Sequence, residues 1–274
     1  ILVLKKSGSQ EKSIIFVKEK NPEMELWTGR ITGPELAKED LNVDESYPIT
    51  DFDKLISELT EGHQKVYINA YENNDVTKNV YSTCQNLWAS RKKTTYIPNQ
   101  IVHLDSLTEE MRLIKDEAEL TNMIKAASLT TKGHIAAMAM TQVGKNERDI
   151  DALLNYFFKL EGGSGPAYES IVASGNNANI LHYVKNDEDL KDGELILIDA
   201  GAEFNLYASD VTRTFPVNGK FTEAQKDIYS IVLSAQKSAI KMAAKNTTLK
   251  KIHQHTSLKL IEGLIDLNIL NGNP

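Results

Sequence analysis

Two aspartates, Asp199 and Asp210, are the residues of this chain whose type and spacing could carry chemistry. Asp199 directly follows the apolar run Leu195–Ile198, which predicts a buried strand. Asp210 opens a second, alternating segment, in which Asp210, Thr212 and Thr214 share one face. Carboxylates are hard oxygen ligands that suit Mg, Mn or Ca. The two acids therefore predict a site for divalent cations.

A β-hairpin is predicted between the two aspartates, because Gly201 and Asn205 are turn formers. If its centre lies near Phe204 and Asn205, then Asp199 and Asp210 are directly opposite each other, with Cβ atoms about 4.5–5.5 Å apart. Carboxylates that close repel each other unless a cation lies between them. Two metal ions about 3.5–4 Å apart are a known catalytic arrangement. The alternative is a solvated hairpin with two unrelated acids.

Three motifs lie in the same region, DAGAE at 199–203, SDVTRTFP at 209–216 and VNGKFT at 217–222. Two upstream segments add to them, YESIVASGNNANILHY at 168–183 and EMRLIK at 110–115. With these segments the chain resembles the Xaa-Pro aminopeptidase (aminopeptidase P) family of pita-bread metallopeptidases. The resemblance implies a metal-dependent aminopeptidase that releases the N-terminal residue preceding proline. Its partners would be peptide substrates with proline at the second position.

The resemblance also implies a set of metal ligands made of two Asp, one His and two Glu. Asp199 and Asp210 match the two Asp, and the family places the other three ligands in a segment that would lie beyond Pro274. The implied cofactor is a pair of divalent metal ions, most often Mn²⁺. We therefore expect this chain alone to bind metal weakly and to lack peptidase activity.

Three further residues receive candidate roles, His182 through the resemblance and Thr212 because it shares a strand face with Asp210. His182, on a strand predicted at 180–184, would be catalytic and substrate-binding, because it would hydrogen-bond the peptide carbonyl oxygen. Tyr168 would line the substrate pocket, and Thr212 would orient a carboxylate from behind the metal ligands. The ordinary alternatives are a structural histidine, a strand aromatic residue and a strand threonine.

The fold class predicted for the chain is an α/β N-terminal domain followed by an α+β pita-bread domain, whose C-terminal part is missing. Residues 1–104 form the creatinase/prolidase-like first domain, and residues 105–274 the first part of the second, with a boundary in the polar, proline-containing stretch 97–110. The first domain alternates strands with helices. Its predicted elements are a hairpin at 1–17, helices at 50–60 and 75–89 and a strand at 66–70. Trp27–Arg30 is similar to a surface motif of the family's N-terminal domain that could contact a neighbouring subunit, but a plain turn is favoured. Trp88 is predicted as a core residue.

Predicted N-caps mark where the helices of the second domain begin. Asp116 with Glu119 and Thr222 with Gln225 have capping-box spacing, and Asn146 caps a helix to about Leu160. The core stripe of the first long helix is predicted to run through Leu120, Ile124 and Ala127 and then along 129–140. A strand is predicted at 168–173, and a last helix at 249–270.

Composition excludes several classes of partner. The net charge of −7 and the pI near 5.5 disfavour nucleic acid and anionic membranes. No apolar run is long enough to span a membrane, and a single Cys84 fits a reducing compartment, so a cytoplasmic location is expected. The resemblance implies a homo-oligomer. The chain begins without Met and without a signal peptide pattern. Because it starts within a predicted strand and ends just after a predicted helix, we expect it to be a piece of a longer protein.

Three alternative functions remain open from the sequence. A prolidase would share the metal site but cleave X-Pro dipeptides. A non-catalytic pita-bread domain would recognise peptides or partner proteins, and a creatine-amidinohydrolase-like enzyme would share the fold without metal. Relatives of these last two kinds usually lose the metal-ligand acids, so the presence of both Asp199 and Asp210 favours a metallopeptidase.

Overall fold

The computed structural model describes residues 1–90 and 96–272, and the chain divides into two compact units. The first unit spans Ile1–Lys115 and the second Asp116–Pro274. The sequence placed a domain boundary between residues 104 and 105, and the helix that follows, Asp105–Leu113, belongs to the first unit. Among the helices of the described residues, none has the length and apolar character that crossing a bilayer requires.

The first unit combines short strands with helices, as the alternating pattern predicts. Strands β1 (Leu2–Ser7) and β2 (Gln10–Val17) form the predicted antiparallel hairpin, and β3 (Glu45–Pro48) pairs in parallel with β2. The other elements are helices α1 (Pro22–Thr28), α2 (Gly33–Asp40), α3 (Phe52–Thr60) and α4 (Asp75–Ala89), the parallel strand pair β4 (Lys65–Ile68) and β5 (Gln100–His103), and helix α5 (Asp105–Leu113). The buried core consists of Ile14, Phe16, Phe52, Ile56, Val80 and Cys84.

Two predictions for the first unit are wrong. The segment from Trp27 does not form a simple turn, because helix α1 continues to Thr28; the Asn21 side chain caps its first turn, and Pro22 occupies a first-turn position. Trp88 is not a core residue, since half of it is exposed, and its indole N–H donates to the Pro98 carbonyl at 2.6 Å.

The helices of the second unit begin where the caps predict. Helix α6 (Glu117–Met140) starts after the Asp116–Glu119 capping box, and α7 (Glu147–Lys159) starts after a box formed by Asn146 and Asp149. Helix α8 (Glu223–Met242) starts after the Thr222–Gln225 box and is followed by α9 (Leu249–Asp266). In each box the cap side chain accepts a backbone N–H that the helix leaves unpaired.

Two three-stranded sheets complete the second unit. Their strands are β6 (Gly165–Pro166), β7 (Ile171–Ser174), β8 (Leu195–Ala200), β9 (Ala202–Phe204), β10 (Tyr207–Ala208) and β11 (Val211–Pro216). One sheet has the order β11-β8-β7 and the other β10-β9-β6, with antiparallel pairing throughout. The strand predicted at 180–184 is wrong, because a 3₁₀ turn at Gly175–Asn179 leads into an irregular segment there.

The core of the second unit lies between helices α6 and α7 and the strands. The predicted stripe on α6 is partly wrong, since Leu120 and Ile124 are 46% and 68% exposed. Apart from Leu129, the buried face carries small and polar residues, because α7 approaches closely: a side chain at Gly133 would meet the Phe158 ring at 2.8 Å. The α6 residues that are buried are Ala126, Leu129, Thr130, Gly133, His134 and Ala137.

Candidate metal site

The hairpin that carries the two aspartates has a register different from the assumed one. Strand β8 pairs with β11 so that Asp199 lies opposite Thr212 and Ala200 opposite Val211. The predicted direct opposition of Asp199 and Asp210 is therefore wrong by two residues. Because residues two apart in a strand share a face, Asp210 still lies on the side of Thr212 and Asp199, in a diagonal position.

The register differs because the turn centre lies one residue later than predicted. Phe204 pairs with Tyr207, so Asn205 and Leu206 are the two central residues of the turn. Both have positive φ, 48° and 68°, as a two-residue hairpin turn requires. Leucine rarely adopts a positive φ. The turn preferences of the amino acids therefore do not predict Leu206 as a central residue of the turn.

Gly201 lies where the hairpin passes from one sheet to the other. Strand β8 ends just before Gly201 and β9 begins just after it. A Cβ added at Gly201 would lie only 1.6 Å from the carbonyl oxygen of Ser209. Only glycine permits this close approach of two backbones, which places the segment of Asp210 beside the end of β8.

Tyr168 reaches the two acids from the segment that joins strands β6 and β7. The N–H of Ala167 donates to the carbonyl of Gly201 at 2.8 Å, and Ile171 pairs with Asp199. Tyr168 therefore lies between two residues that are bound to the chain on either side of Ala200, which brings its hydroxyl within reach of both carboxylates.

The Tyr168 hydroxyl contacts both aspartates. Its oxygen lies 2.6 Å from Asp199 Oδ1 and 3.0 Å from Asp210 Oδ1. The two carboxylate oxygens can therefore be no farther apart than the sum of these two distances. Burial, reinforced by the hydrogen bonds to Asp199 and Asp210, raises the pKa of Tyr168 well above its usual range, so the phenol keeps its hydrogen at neutral pH.

This arrangement of donors fits a divalent cation. A phenol has one hydrogen, so it donates to only one of the two carboxylates at a time. The other carboxylate then faces an oxygen lone pair and a second negative charge, a repulsive contact that a hard cation would relieve. Among the described residues, no group of three or more His, Cys, Asp or Glu side chains is arranged to hold a metal. Asp199 and Asp210 thus offer two ligands.

Two residues that the sequence analysis did not select, Thr130 and His134, hold the backbone on either side of Gly201. They lie one turn apart on the buried face of α6. The Thr130 hydroxyl accepts the N–H of Ala202 at 2.8 Å, and Nε2 of His134 lies 3.1 Å from the carbonyl oxygen of Ala200. These contacts fix the strand immediately after Asp199.

The protonation of His134 follows from its partner. A carbonyl oxygen only accepts, so Nε2 carries the hydrogen. Burial lowers the pKa of His134 and outweighs the hydrogen bond to Ala200, which acts in the opposite direction. The ring is therefore neutral at pH 7. The sequence does contain a signal for this pair. A histidine and a threonine lie four residues apart among small and apolar residues of one helix, a spacing that puts both polar side chains on the buried face.

Of the two remaining predicted site residues, Thr212 lies beside the two aspartates and His182 lies on a separate turn. Thr212 lies directly across from Asp199 and is exposed, so it shares the face of the two acids. His182 is exposed on a turn rather than on a strand. Within the described part of the chain, the hydrogen bonds that join Tyr168, Asp199 and Asp210 do not extend to His182.

Family models match both units of the chain. The model for metallopeptidase family M24 matches residues 121–266, which include Tyr168, Asp199 and Asp210. The model for the aminopeptidase P N-terminal domain matches residues 1–67. The Xaa-Pro aminopeptidase of Haemophilus influenzae is 38% identical over 99% of this chain and 61% of its own length.

Solved structures of aminopeptidases are similar to the whole chain. Aminopeptidase PepP of Pseudomonas aeruginosa is 39% identical, with a TM-score of 0.91, over 95% of this chain and 59% of its own. A zinc-substituted Escherichia coli aminopeptidase P in complex with product is 33% identical, with a TM-score of 0.95, over 99% and 62%. The chain thus spans about three fifths of the length of the proteins it matches.

Proposed function

Because the chain belongs to metallopeptidase family M24, we propose that it forms the larger part of a metal-dependent aminopeptidase that releases the N-terminal residue preceding proline. Family membership and the similar solved structures confirm the predicted fold class, an N-terminal aminopeptidase P domain followed by a truncated pita-bread domain. The observation that carries the proposed activity is the pair of carboxylates, Asp199 and Asp210, gathered around one tyrosine hydroxyl.

Asp199 and Asp210 would hold two divalent ions, for which we propose Mn²⁺, with one His and two Glu from residues beyond 274. Bound there, the ions would polarise the scissile carbonyl and lower the pKa of water. The backbone contacts of Thr130 and His134 would keep Asp199 in place while the cations bind and leave. Thr212, across the strand from Asp199, would orient that carboxylate.

His182 and Tyr168 would act on the peptide. His182 is exposed, so its ring is free to approach a substrate, where an N–H donor to the scissile carbonyl oxygen would stabilise developing charge by about 3–4 kcal/mol. Tyr168 keeps its hydrogen, since burial and the two acids raise the pKa of its hydroxyl. It would therefore serve at the pocket wall as a hydrogen-bond donor rather than as a base.

We also propose that the protein works as a homo-oligomer in the cytoplasm. Leu26 and Trp27 of helix α1 are each 86% exposed, and adjacent exposed apolar side chains are typical of surfaces that contact another protein. Cys84 is a buried free thiol, which fits a reducing compartment. The domain division that we propose is residues 1–104 and 105–274, whereas the two compact units of the structure divide eleven residues later, between Lys115 and Asp116.

The test compares this chain with the protein extended beyond residue 274. With Mn²⁺ and a tripeptide of sequence X-Pro-Y, we expect mass spectrometry to detect release of X by the extended protein only. Asp199→Asn should lower its kcat/KM by at least about 1,000-fold, because a charged ligand is lost. The exposed control Asp227→Asn should leave the activity unchanged.

Cleavage of X-Pro dipeptides in preference to tripeptides would favour a prolidase instead. Turnover by the chain of residues 1–274 would contradict the division of the metal ligands. An extended protein that binds peptides without releasing a residue would favour the non-catalytic alternative.

A further inference from the structure

Glu147, the first residue of helix α7, is a buried carboxylate to which the candidate metal site assigns no role. Its side chain is fully buried, at 0% exposure. Charged side chains are almost never fully buried unless they are paired, and the ion pairs of the described residues do not include Glu147. A partner other than a cation must therefore stabilise its charge.

Five hydrogen-bond donors surround this carboxylate. Oε1 accepts from the N–H of Ser174 at 2.7 Å, from its hydroxyl at 2.8 Å and from the side-chain amide of Asn177 at 3.2 Å. Oε2 accepts from the Tyr183 hydroxyl at 2.7 Å and from the N–H of Glu188 at 3.1 Å. Burial alone would raise the pKa of Glu147, but these bonds outweigh it and hold the pKa below its ordinary value.

All five donors belong to one segment of the chain, residues 174–188. Ser174 ends strand β7, Asn177 lies in the 3₁₀ turn that follows, and Glu188 lies where the segment returns to α7. The N–H of Glu147 itself donates to the carbonyl of Glu188 at 2.9 Å. One side chain therefore holds the start, the middle and the end of this segment.

The part of the segment between two of these anchors projects into solvent. Asn177 and Tyr183 are both bound to Glu147, and the residues between them include Ile180 and Leu181, which are 53% and 85% exposed, and the exposed His182. Tyr183 directly follows His182 and is 8% exposed, so the two neighbours face opposite ways. We name residues 178–182 the exposed turn.

Position 147 requires an acceptor rather than an apolar side chain. An apolar residue would avoid the cost of burying a charge, but it would leave the N–H groups of Ser174 and Glu188 without their acceptor. A neutral amide could bind only some of the donors. A carboxylate differs because both of its oxygens accept, and it can therefore bind a backbone N–H on each arm at once. That property fixes the two ends of a segment relative to each other.

We propose that Glu147 is a positioning residue that sets the conformation of the exposed turn for a peptide substrate, a role that rests on the proposed function. The turn presents two apolar side chains and an imidazole, which suit the apolar surface and the carbonyl oxygen of a short peptide. Holding such groups in place before binding reduces the ordering cost at the moment of binding. Glu147 acts through Tyr183 and Asn177 and does not touch the substrate.

The first experiment measures amide hydrogen exchange in the chain of residues 1–274. Glu147→Gln keeps the shape and one accepting oxygen, but its NH₂ cannot accept a backbone N–H, so the contact with either Ser174 or Glu188 is lost whichever way the amide points. We expect exchange across residues 175–188 to become at least about 10-fold faster, the factor that corresponds to losing one hydrogen bond to a charged group. The matched control is Ile150→Val, one turn along the same helix and fully buried, which should loosen α7 without singling out the segment.

The second experiment measures steady-state kinetics of the protein extended beyond residue 274, with an X-Pro-Y tripeptide. A variant that is only destabilised contains fewer active molecules, so its apparent kcat falls while KM stays unchanged. We expect Glu147→Gln to raise KM about tenfold, and Ile150→Val to leave KM unchanged. Tyr183→Phe, which removes one of the five hydrogen bonds, should give an intermediate KM.

The outcomes separate this proposal from the proposed function. Faster exchange confined to residues 175–188 together with a raised KM supports a positioning role. Unchanged exchange, equal exchange in the two α7 variants, or a lower kcat at constant KM overturns it. An extended wild-type protein that cleaves no X-Pro peptide refutes the proposed function by itself; the substrate role of Glu147 falls with it, even if the exchange result is as expected.

Discussion

Replacing Asp210 by Asn should have opposite effects on the metal-free and the metal-bound chain. Without metal, the single hydrogen of Tyr168 cannot satisfy both carboxylates, whose oxygens lie 2.6 and 3.0 Å from its hydroxyl. An amide at position 210 removes one negative charge and can either donate to the tyrosine oxygen or accept from it. The metal-free variant should therefore be more stable than the wild type, although a charged group has been lost.

The size of the gain follows from the geometry. Two unit charges about 5.6 Å apart, the largest separation that the two Oδ1 atoms can have, repel by about 0.7 kcal/mol in water and by about 3 kcal/mol at an effective dielectric constant of about 20. Asp210 is exposed and Asp199 partly buried, so a value of about 1 kcal/mol is expected. For a protein of this size, that gain raises the melting temperature by about 2–4 °C.

The cation reverses the order of the two proteins. We assume a Kd of about 1 mM for the two carboxylates alone, which is the weak end of the range for oxygen-ligand sites. At about 10 mM Mn²⁺, binding stabilises the wild type by about 1.4 kcal/mol, or about 3–6 °C. Asp210→Asn removes one ligand and should abolish most of this shift.

Circular dichroism during heating measures both effects, with and without Mn²⁺, and with sodium chloride at the same ionic strength as the salt control. Asp227→Asn, an exposed acid on α8, controls for the change in net charge and should respond to Mn²⁺ like the wild type. The reasoning is refuted if the metal-free variant melts below the wild type, or if Mn²⁺ stabilises both proteins equally.

Two further predictions concern the elements around the site. Gly201→Ala should lower the free energy of unfolding by more than about 3 kcal/mol in urea titrations, because the new Cβ would lie 1.6 Å from the Ser209 carbonyl oxygen; an unchanged midpoint would show that this close approach is not maintained. Glu147 has a pKa below its ordinary value of 4.5, so its charged form stabilises the fold fully above that pH and less as pH falls through the lowered value. The difference in unfolding free energy between wild type and Glu147→Gln should therefore shrink between pH 7 and about pH 3, and a constant difference would contradict the shifted pKa.

Local signals in the sequence were sufficient for much of the second unit. The caps at Asp116, Asn146 and Thr222 begin helices at the predicted residues, because an N-cap side chain satisfies N–H groups within three residues of itself. The apolar run before Asp199 predicted strand β8, with the acid at its end. Helix caps and apolar runs depend only on residues that are close in the sequence, so they can be predicted from the sequence alone.

Predictions that depended on a turn or on a helix face were less successful. The turn centre was placed one residue early, since Leu206 adopts a conformation that its side chain disfavours. The strand expected around His182 is absent among the described residues, because the segment is bound to Glu147 instead of to another strand. The buried face of α6 follows the close approach of α7 at Gly133 rather than the largest apolar side chains.

The sequence by itself determined which residues could be ligands, Asp199 and Asp210, and which family the chain resembles, because residue type and spacing are written along the chain. Only the tertiary structure decided that one Tyr168 hydroxyl joins both acids, that Thr130 and His134 hold the strand behind them, and that Glu147 holds the exposed turn. Each of these contacts joins residues about 30 to 70 positions apart in the sequence. Hydrogen bonds act over about 3 Å, so such partners are known only once packing has brought their backbones together.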